Sequence, residues 1–200
     1  MIRWMRHLVL VLVLALATAA GIALYASRDP VYTIHEWMDA GHFSRYDAAI
    51  QRAATKYQID PMLLKAVIWR ESTFQPDKVG KDGERGLMQV TEAVAKDWAK
   101  SQKIESFDPV GLFDPETNIE IGSWYLKQSL QYYSGKDDPV PFALAEYNAG
   151  RQRVHRWIGE NNLGPVTASE MQANISFPST RSYVHTTIDR YNFYKRRARM

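Results

Sequence analysis

The apolar positions of this chain fall into an unbroken run, a stretch without period, and a series of helical stripes. Leu8 to Ala26 carries no charge and is mostly Leu, Val and Ala, close to the roughly 20 residues that a membrane-spanning helix needs. Ser27 to Phe43 shows no helical period and reads as a linker. From Ser44 onward the period is that of amphipathic helices. Ser44 and Asp47 resemble a capping box ahead of the stripe Tyr46, Ala49, Ile50, Ala53 and Tyr57. Asp60-Pro61 reads as an N-cap followed by proline at the first helical position, and Leu64, Val67, Ile68 and Glu71 follow at i, i+3, i+4 and i+7. Gln75 to Arg85 holds Pro76, Gly80 and Gly83, too many breakers for a helix, and is expected as a loop or small hairpin. Thr91 caps a helix to about Lys100, and Asp114-Pro115 opens a long one through Ile119, Gly122, Leu126 and Leu130 to Gly135. Pro139 and Pro141 precede an apolar helix ending at Asn148 to Gly150, and a last helix runs from about Thr180. The fold class expected is all-α, with at most a small β-hairpin, and the boundaries are 1–27, 28–43 and 44–200.

Length and composition narrow this further. Two hundred residues, 46% of them hydrophobic, are enough for one well-packed domain and hardly enough for two. Arg3 and Arg6 precede the apolar run and Arg28 follows it, the anatomy of an export signal or an anchor with its N-terminus in the cytoplasm. Ala17-Thr18-Ala19 offers a cleavage site, while the continuation through Gly21, Ile22, Leu24 and Tyr25 favours an uncleaved anchor. The absence of cysteine excludes disulfides, thiolate zinc sites and a catalytic thiol. The net charge of +3 is modest, with a basic cluster at Lys195, Arg196, Arg197 and Arg199, and nothing demands nucleic acid. Histidines 7, 35, 42, 155 and 185 lack ligand spacing, so neither a metal nor another cofactor is assigned.

Glu71 stands out because its spacing puts a carboxyl on the apolar side of a helix. Lost hydration disfavours the anion and lets the group hold a proton near neutrality, as a general acid must. The alternative is a helix-ending glutamate whose carboxylate is satisfied by a loop amide or by Arg70 or Arg85.

Further residues carry a resemblance. Glu71-Ser72, Gly86-Leu87-Met88-Gln89-Val90, Asn118-Ile119 with Gly122, Tyr125 and Leu126, and Ala145-Glu146-Tyr147-Asn148-Ala149-Gly150 follow one another in an order that resembles the SLT domain of family 1 lytic transglycosylases, related in fold to goose-type lysozyme. The resemblance covers roughly Tyr46 to Tyr194. It implies a lysozyme-like fold and an enzyme that cleaves the β-1,4 bond between N-acetylmuramic acid and N-acetylglucosamine in peptidoglycan, the sugar's C6 hydroxyl replacing water to leave 1,6-anhydro ends. It implies Glu71 as sole catalytic acid/base, and Ser72, Met88, Gln89, Tyr147, Asn148 and Tyr183 as substrate-binding or site-forming residues. One carboxyl can suffice, because a nucleophile tethered within the substrate has a high effective molarity. It further implies peptidoglycan strands as partner and a location in the periplasm or envelope, where the apolar N-terminal segment is expected to tether the domain to the inner membrane.

The residues leave alternatives. Met88 either lines the cleft or fills the core; Asn148 and Gly150 also suit a helix C-cap. The resemblance implies that Tyr147 lies near the acid, where its hydroxyl can hydrogen-bond Glu71 and bias its protonation state. Ser179 stands where many such domains have glutamate, which bears on rate, and Glu146 is expected to face solvent. Asp82 and Glu84, beside the acid, either form a solvated turn or activate water in a lysozyme-like hydrolase. A catalytically weak glycan-binding adaptor is the reading from a different class.

Overall fold

The computed structural model describes residues 2–26, 34, 38, 41–159 and 166–198. Most of the expected linker, and Arg199, lie outside the described residues. The chain divides into two units, Met1–Arg45 and Tyr46–Met200. In the first, α1 (Ile2–Ala26) contains a segment, Trp4–Ile22, long and apolar enough to cross a membrane, with none of its side chains buried in protein.

The second unit is built from helices: α2 (Asp47–Tyr57), α3 (Pro61–Ser72), α4 (Glu92–Ser101), a 3-10 turn (Pro109–Phe113), α5 (Pro115–Tyr132), α6 (Pro139–Ala149), α7 (Arg151–Ile158), α8 (Ala168–Asn174) and α9 (Pro178–Arg197). Most starts follow from local chemistry. Asp60, Thr91, Asp108, Asp114, Asp138 and Thr167 each accept a backbone N–H of the first turn, and prolines occupy first-turn positions where no N–H is needed. Among the described residues, β structure is confined to single bridges of Arg85 with Val79 and Val90.

Helix α6 is the centre of this unit, packing against α5, α7, α8 and α9. Its residues Pro141 to Glu146 are buried on every side, as a helix without a polar face must be. Helix α3 lies between α2 and α9 and buries Leu63 to Ile68. Residues 73–90 cross from α3 toward α4, and α5 lies on α2, α4 and α6.

Several expectations are corrected. The Ser44–Asp47 capping box does not form: Ser44 Oγ donates to Gly41 O at 3.3 Å within the preceding turn, and α2 starts at Asp47 without a side-chain cap. Pro139 and Pro141 lie inside the first turn of α6 instead of ahead of it. Helices α7 and α8 were not expected, although Thr167 and Glu170 form a capping box that marks the start of α8. Glu146 does not face solvent. It is 1% exposed, because residues 141–146 of α6 are enclosed on every side. Its carboxylate accepts from Ser129 Oγ at 2.7 Å, from the Tyr133 hydroxyl at 2.9 Å and from Arg151 at 2.8 and 3.0 Å. Burial alone would raise its pKa, but Arg151 and the two hydroxyls outweigh that and hold the carboxyl below its ordinary value.

Candidate active site

Glu71 lies in the last turn of α3, which ends with Thr73 and Phe74 both at positive φ, 52° and 62°. Left-handed backbone is unfavourable for a β-branched and an aromatic residue. Phe74, 1% exposed, is held in the core, and this double reversal turns the following loop back toward Glu71. Lys78 of that loop donates from Nζ to the Glu71 carbonyl.

The loop is fastened beneath the acid by buried polar contacts. Ser72 Oγ lies 2.7 Å from Leu87 O and 3.1 Å from Ile68 O, and donates to this pair of carbonyls. Asn118 of α5 accepts from Met88 N at 2.7 Å and donates to Arg85 O and Leu112 O, both at 2.8 Å. Gly86, at φ +76°, lies against Asn118 and Leu112 O, where a Cβ would collide. Gly122 leaves room for Met88, whose Sδ would be 2.6 Å from a Cβ there. Gln89, at φ +48°, donates from Nε2 to Gly86 O at 2.9 Å and Lys78 O at 3.1 Å. The Tyr147 hydroxyl donates to Met88 O at 2.8 Å, and its ring is tilted against Tyr125, centroids 5.4 Å apart.

From the other side comes α9. Tyr183, 2% exposed, donates its hydroxyl to Glu71 Oε1 at 2.6 Å. Thr180, one turn earlier, donates to Asn148 Oδ1 at 2.8 Å and ties the start of α9 to the end of α6. Tyr183 thus engages one oxygen of the Glu71 carboxyl.

The electrostatics of the carboxyl are dominated by its burial. Burial pushes the Glu71 carboxyl up from its ordinary value to about 7; the Tyr183 hydrogen bond and the Arg70 and Lys78 charges pull it down, and Glu84 pushes it up. Both tyrosine hydroxyls are held well above their ordinary range, by burial first and then by the Glu71 charge, so they stay neutral donors. A carboxyl of this kind is half protonated near neutrality and can both give and take a proton.

The structure thus gathers Glu71, Tyr147 and Tyr183, with Asn148 tied to α9. It does not place every expected contact at an open surface. Ser72 and Met88 are 1% and 0% exposed, and in place of the substrate contact expected for it the Ser72 hydroxyl is a strut between α3 and the loop. The expected Tyr147–Glu71 hydrogen bond is replaced by the one from Tyr183, because Tyr147 reaches the Met88 carbonyl first. Asn118 and Lys78 were not expected as parts of the site. A lone asparagine in the apolar stripe of α5 is a signal for Asn118, but Lys78, in a loop without period, offers none. Among the described residues no group of three or more His, Asp or Glu could hold a metal ion.

With this geometry in place, the comparisons are specific. The family profile described as Transglycosylase SLT domain matches residues 48–165. The soluble lytic murein transglycosylase of Escherichia coli (strain K12) is 33% identical over 151 residues, 75% of this chain and 23% of that protein. Its Salmonella typhimurium counterpart is 33% identical over 156 residues, 76% and 24% of the two chains. Among solved structures, an inactive glutamate-to-glutamine mutant of the lytic transglycosylase Slt from Pseudomonas aeruginosa matches with TM-score 0.71 at 25% identity, over 90% of this chain and 30% of that one. The 70 kDa soluble lytic transglycosylase of Escherichia coli gives 0.67 at 32%, over 75% and 24%. This chain spans less than a quarter of the length of the curated relatives it matches. On the profile match and these identities, the chain belongs to the transglycosylase SLT domain family.

Proposed function

We propose that the chain is a peptidoglycan lytic transglycosylase in which Glu71 is the single acid/base. Oε2 of the protonated carboxyl delivers its proton to the glycosidic oxygen between N-acetylmuramic acid and N-acetylglucosamine, and the bond from C1 to that oxygen breaks. The resulting carboxylate then takes the proton of the muramyl C6 hydroxyl as its oxygen bonds to C1. A 1,6-anhydro end forms, Glu71 is protonated again, and no water is consumed. The observation that carries this reading is the carboxyl of Glu71, buried enough to hold a proton near pH 7 while Tyr183 steadies its other oxygen. In the Pseudomonas Slt, too, exchange of one glutamate for glutamine gives an inactive mutant. We further propose that α1 tethers residues 46–200 to the inner membrane on its outer side, where the wall polymer lies.

Hydrolysis by the same acid is the second reading, and one observation favours it: the Glu84 charge acts on Glu71, so a second carboxylate is within electrostatic range. Its Oε2, however, accepts the Asp82 N–H at 3.0 Å, which engages one of its two oxygens. A pure adaptor has no use for a desolvated carboxyl.

The test is mass spectrometry of muropeptides released from purified peptidoglycan by the detergent-solubilised full chain, with Glu71→Gln as control. Anhydro ends present with the wild type and absent with the variant are expected. Reducing ends would make the enzyme a hydrolase, and undiminished release by Glu71→Gln would remove Glu71 from the mechanism.

A further inference from the structure

The residue before the acid is held in a way that neither packing nor solvation of a surface arginine requires. Arg70 Nε donates to Thr186 Oγ1 at 3.1 Å. That oxygen is itself fixed on α9, 2.8 Å from Ser182 O and 3.3 Å from Tyr183 O. The clamp sets the guanidinium over the face of the Tyr183 ring, 5.1 Å from its centroid. The same ring carries the hydroxyl that donates to Glu71 Oε1 at 2.6 Å.

A cation held on an aromatic face draws electron density from the ring. In a phenol this makes the O–H a stronger donor, and a stronger donor favours the carboxylate over the acid. The guanidinium charge also acts directly on the carboxyl. We propose, building on the acid/base role of Glu71, that Arg70 is a positioning residue: clamped by Thr186 over Tyr183, it sets the strength of the Tyr183–Glu71 hydrogen bond and thereby the pH range in which Glu71 works.

The reaction needs such a device because Glu71 must act in two senses. Burial alone favours delivery of the first proton and hinders recovery of the second, whereas an acid/base group serving both steps works best when the two protonation states are close in energy. The groups facing the carboxyl are Arg70 from α3, Lys78 and Glu84 from the loop, Tyr147 from α6 and Tyr183 from α9. Lys78 and Glu84 oppose one another in charge. Arg70 alone acts on both the carboxyl and the hydroxyl that bonds it, lowering the pKa of each.

The experiment uses the full chain in detergent. The pH profile of kcat/KM on purified peptidoglycan is measured beside a direct titration of the Glu71 carboxyl by its carbon-13 shift. Arg70→Met is expected to move both the alkaline limb and the titration midpoint upward by about one pH unit, the lower end of what a nearby opposite charge contributes. Thr186→Val, which frees the clamp but keeps the charge, is expected to move both in the same direction by less. Arg70→Lys, which keeps the charge but lacks the Nε donor and the planar guanidinium, is expected to move both upward by less than Arg70→Met does. A midpoint that stays in place or falls in Arg70→Met overturns the proposal, and so does a lysine variant that behaves like the methionine one. Thr186→Val decides the matter if Arg70→Met does not fold, an unmoved midpoint again overturning it. The carbon-13 titration does not depend on turnover. Failure of the acid/base reading itself would show separately, as activity surviving Glu71→Gln.

Discussion

A protonated Glu71 suits a buried position at low pH and strains it as pH rises. Its carboxyl titrates near 4.5 when unfolded and near 7 when folded, so between those values the native state binds more protons than the unfolded one. Stability therefore falls as pH rises through that window and is level above it. The difference amounts to about 3 kcal/mol for this part-buried group. Glu71→Gln removes the titration and keeps the shape. The variant is expected to unfold at higher urea than the wild type at pH 8, with the gap closing toward pH 4, as denaturation curves at the two pH values will read. Equal curves at both would mean that the carboxyl is not desolvated. The residue proposed as the acid/base is thus one the fold would be more stable without.

At the scale of elements, the site depends on how α3, α5, α6 and α9 meet. The loop of residues 73–90 has little regular structure and is held by Ser72, Asn118 and the space left by two glycines. Gly86→Ala would force a side chain into left-handed backbone and against the Leu112 carbonyl. We expect a loss of about 2–4 kcal/mol, read as a lower urea midpoint together with reduced turnover. Glu146 of α6 joins Ser129 and Tyr133, at the end of α5, to Arg151 of α7 through four hydrogen bonds. Arg151→Met leaves a buried carboxylate with neutral donors only; because Arg151 is 43% exposed, solvent screens part of the pair, and a loss of about 1–2 kcal/mol is expected. Glu146 is a depressed carboxyl, so its contribution is present at neutral pH and is lost as pH falls through its folded value. The penalty of Arg151→Met should accordingly shrink in acid, which urea midpoints at pH 7 and pH 3 will test.

For the whole molecule, the prediction concerns attachment. A 25-residue helix spans about 37 Å, more than the hydrocarbon core of a bilayer. The full chain is expected in the membrane pellet after a carbonate wash, and residues 46–200 in the supernatant with activity on purified peptidoglycan retained. Recovery in the supernatant of a chain shortened at its N-terminus would argue for a cleaved signal instead of an anchor. Legible from the sequence were the features set by short-range chemistry: the apolar run of α1, the caps at Asp60, Thr91 and Asp114, the all-α class, and Glu71 on an apolar stripe. The period of a helix and the first unpaired N–H groups are properties of neighbouring residues, so pattern alone reveals them. What only the tertiary structure decided were the partners of those residues. It paired Glu71 with Tyr183 instead of Tyr147, over 112 residues of chain, enclosed Glu146 within α6, and made Ser72 a strut. A side chain's spacing says which way it points from its own helix; what it meets there is set by the packing of distant helices, and that packing gave Glu71 its proton-holding environment.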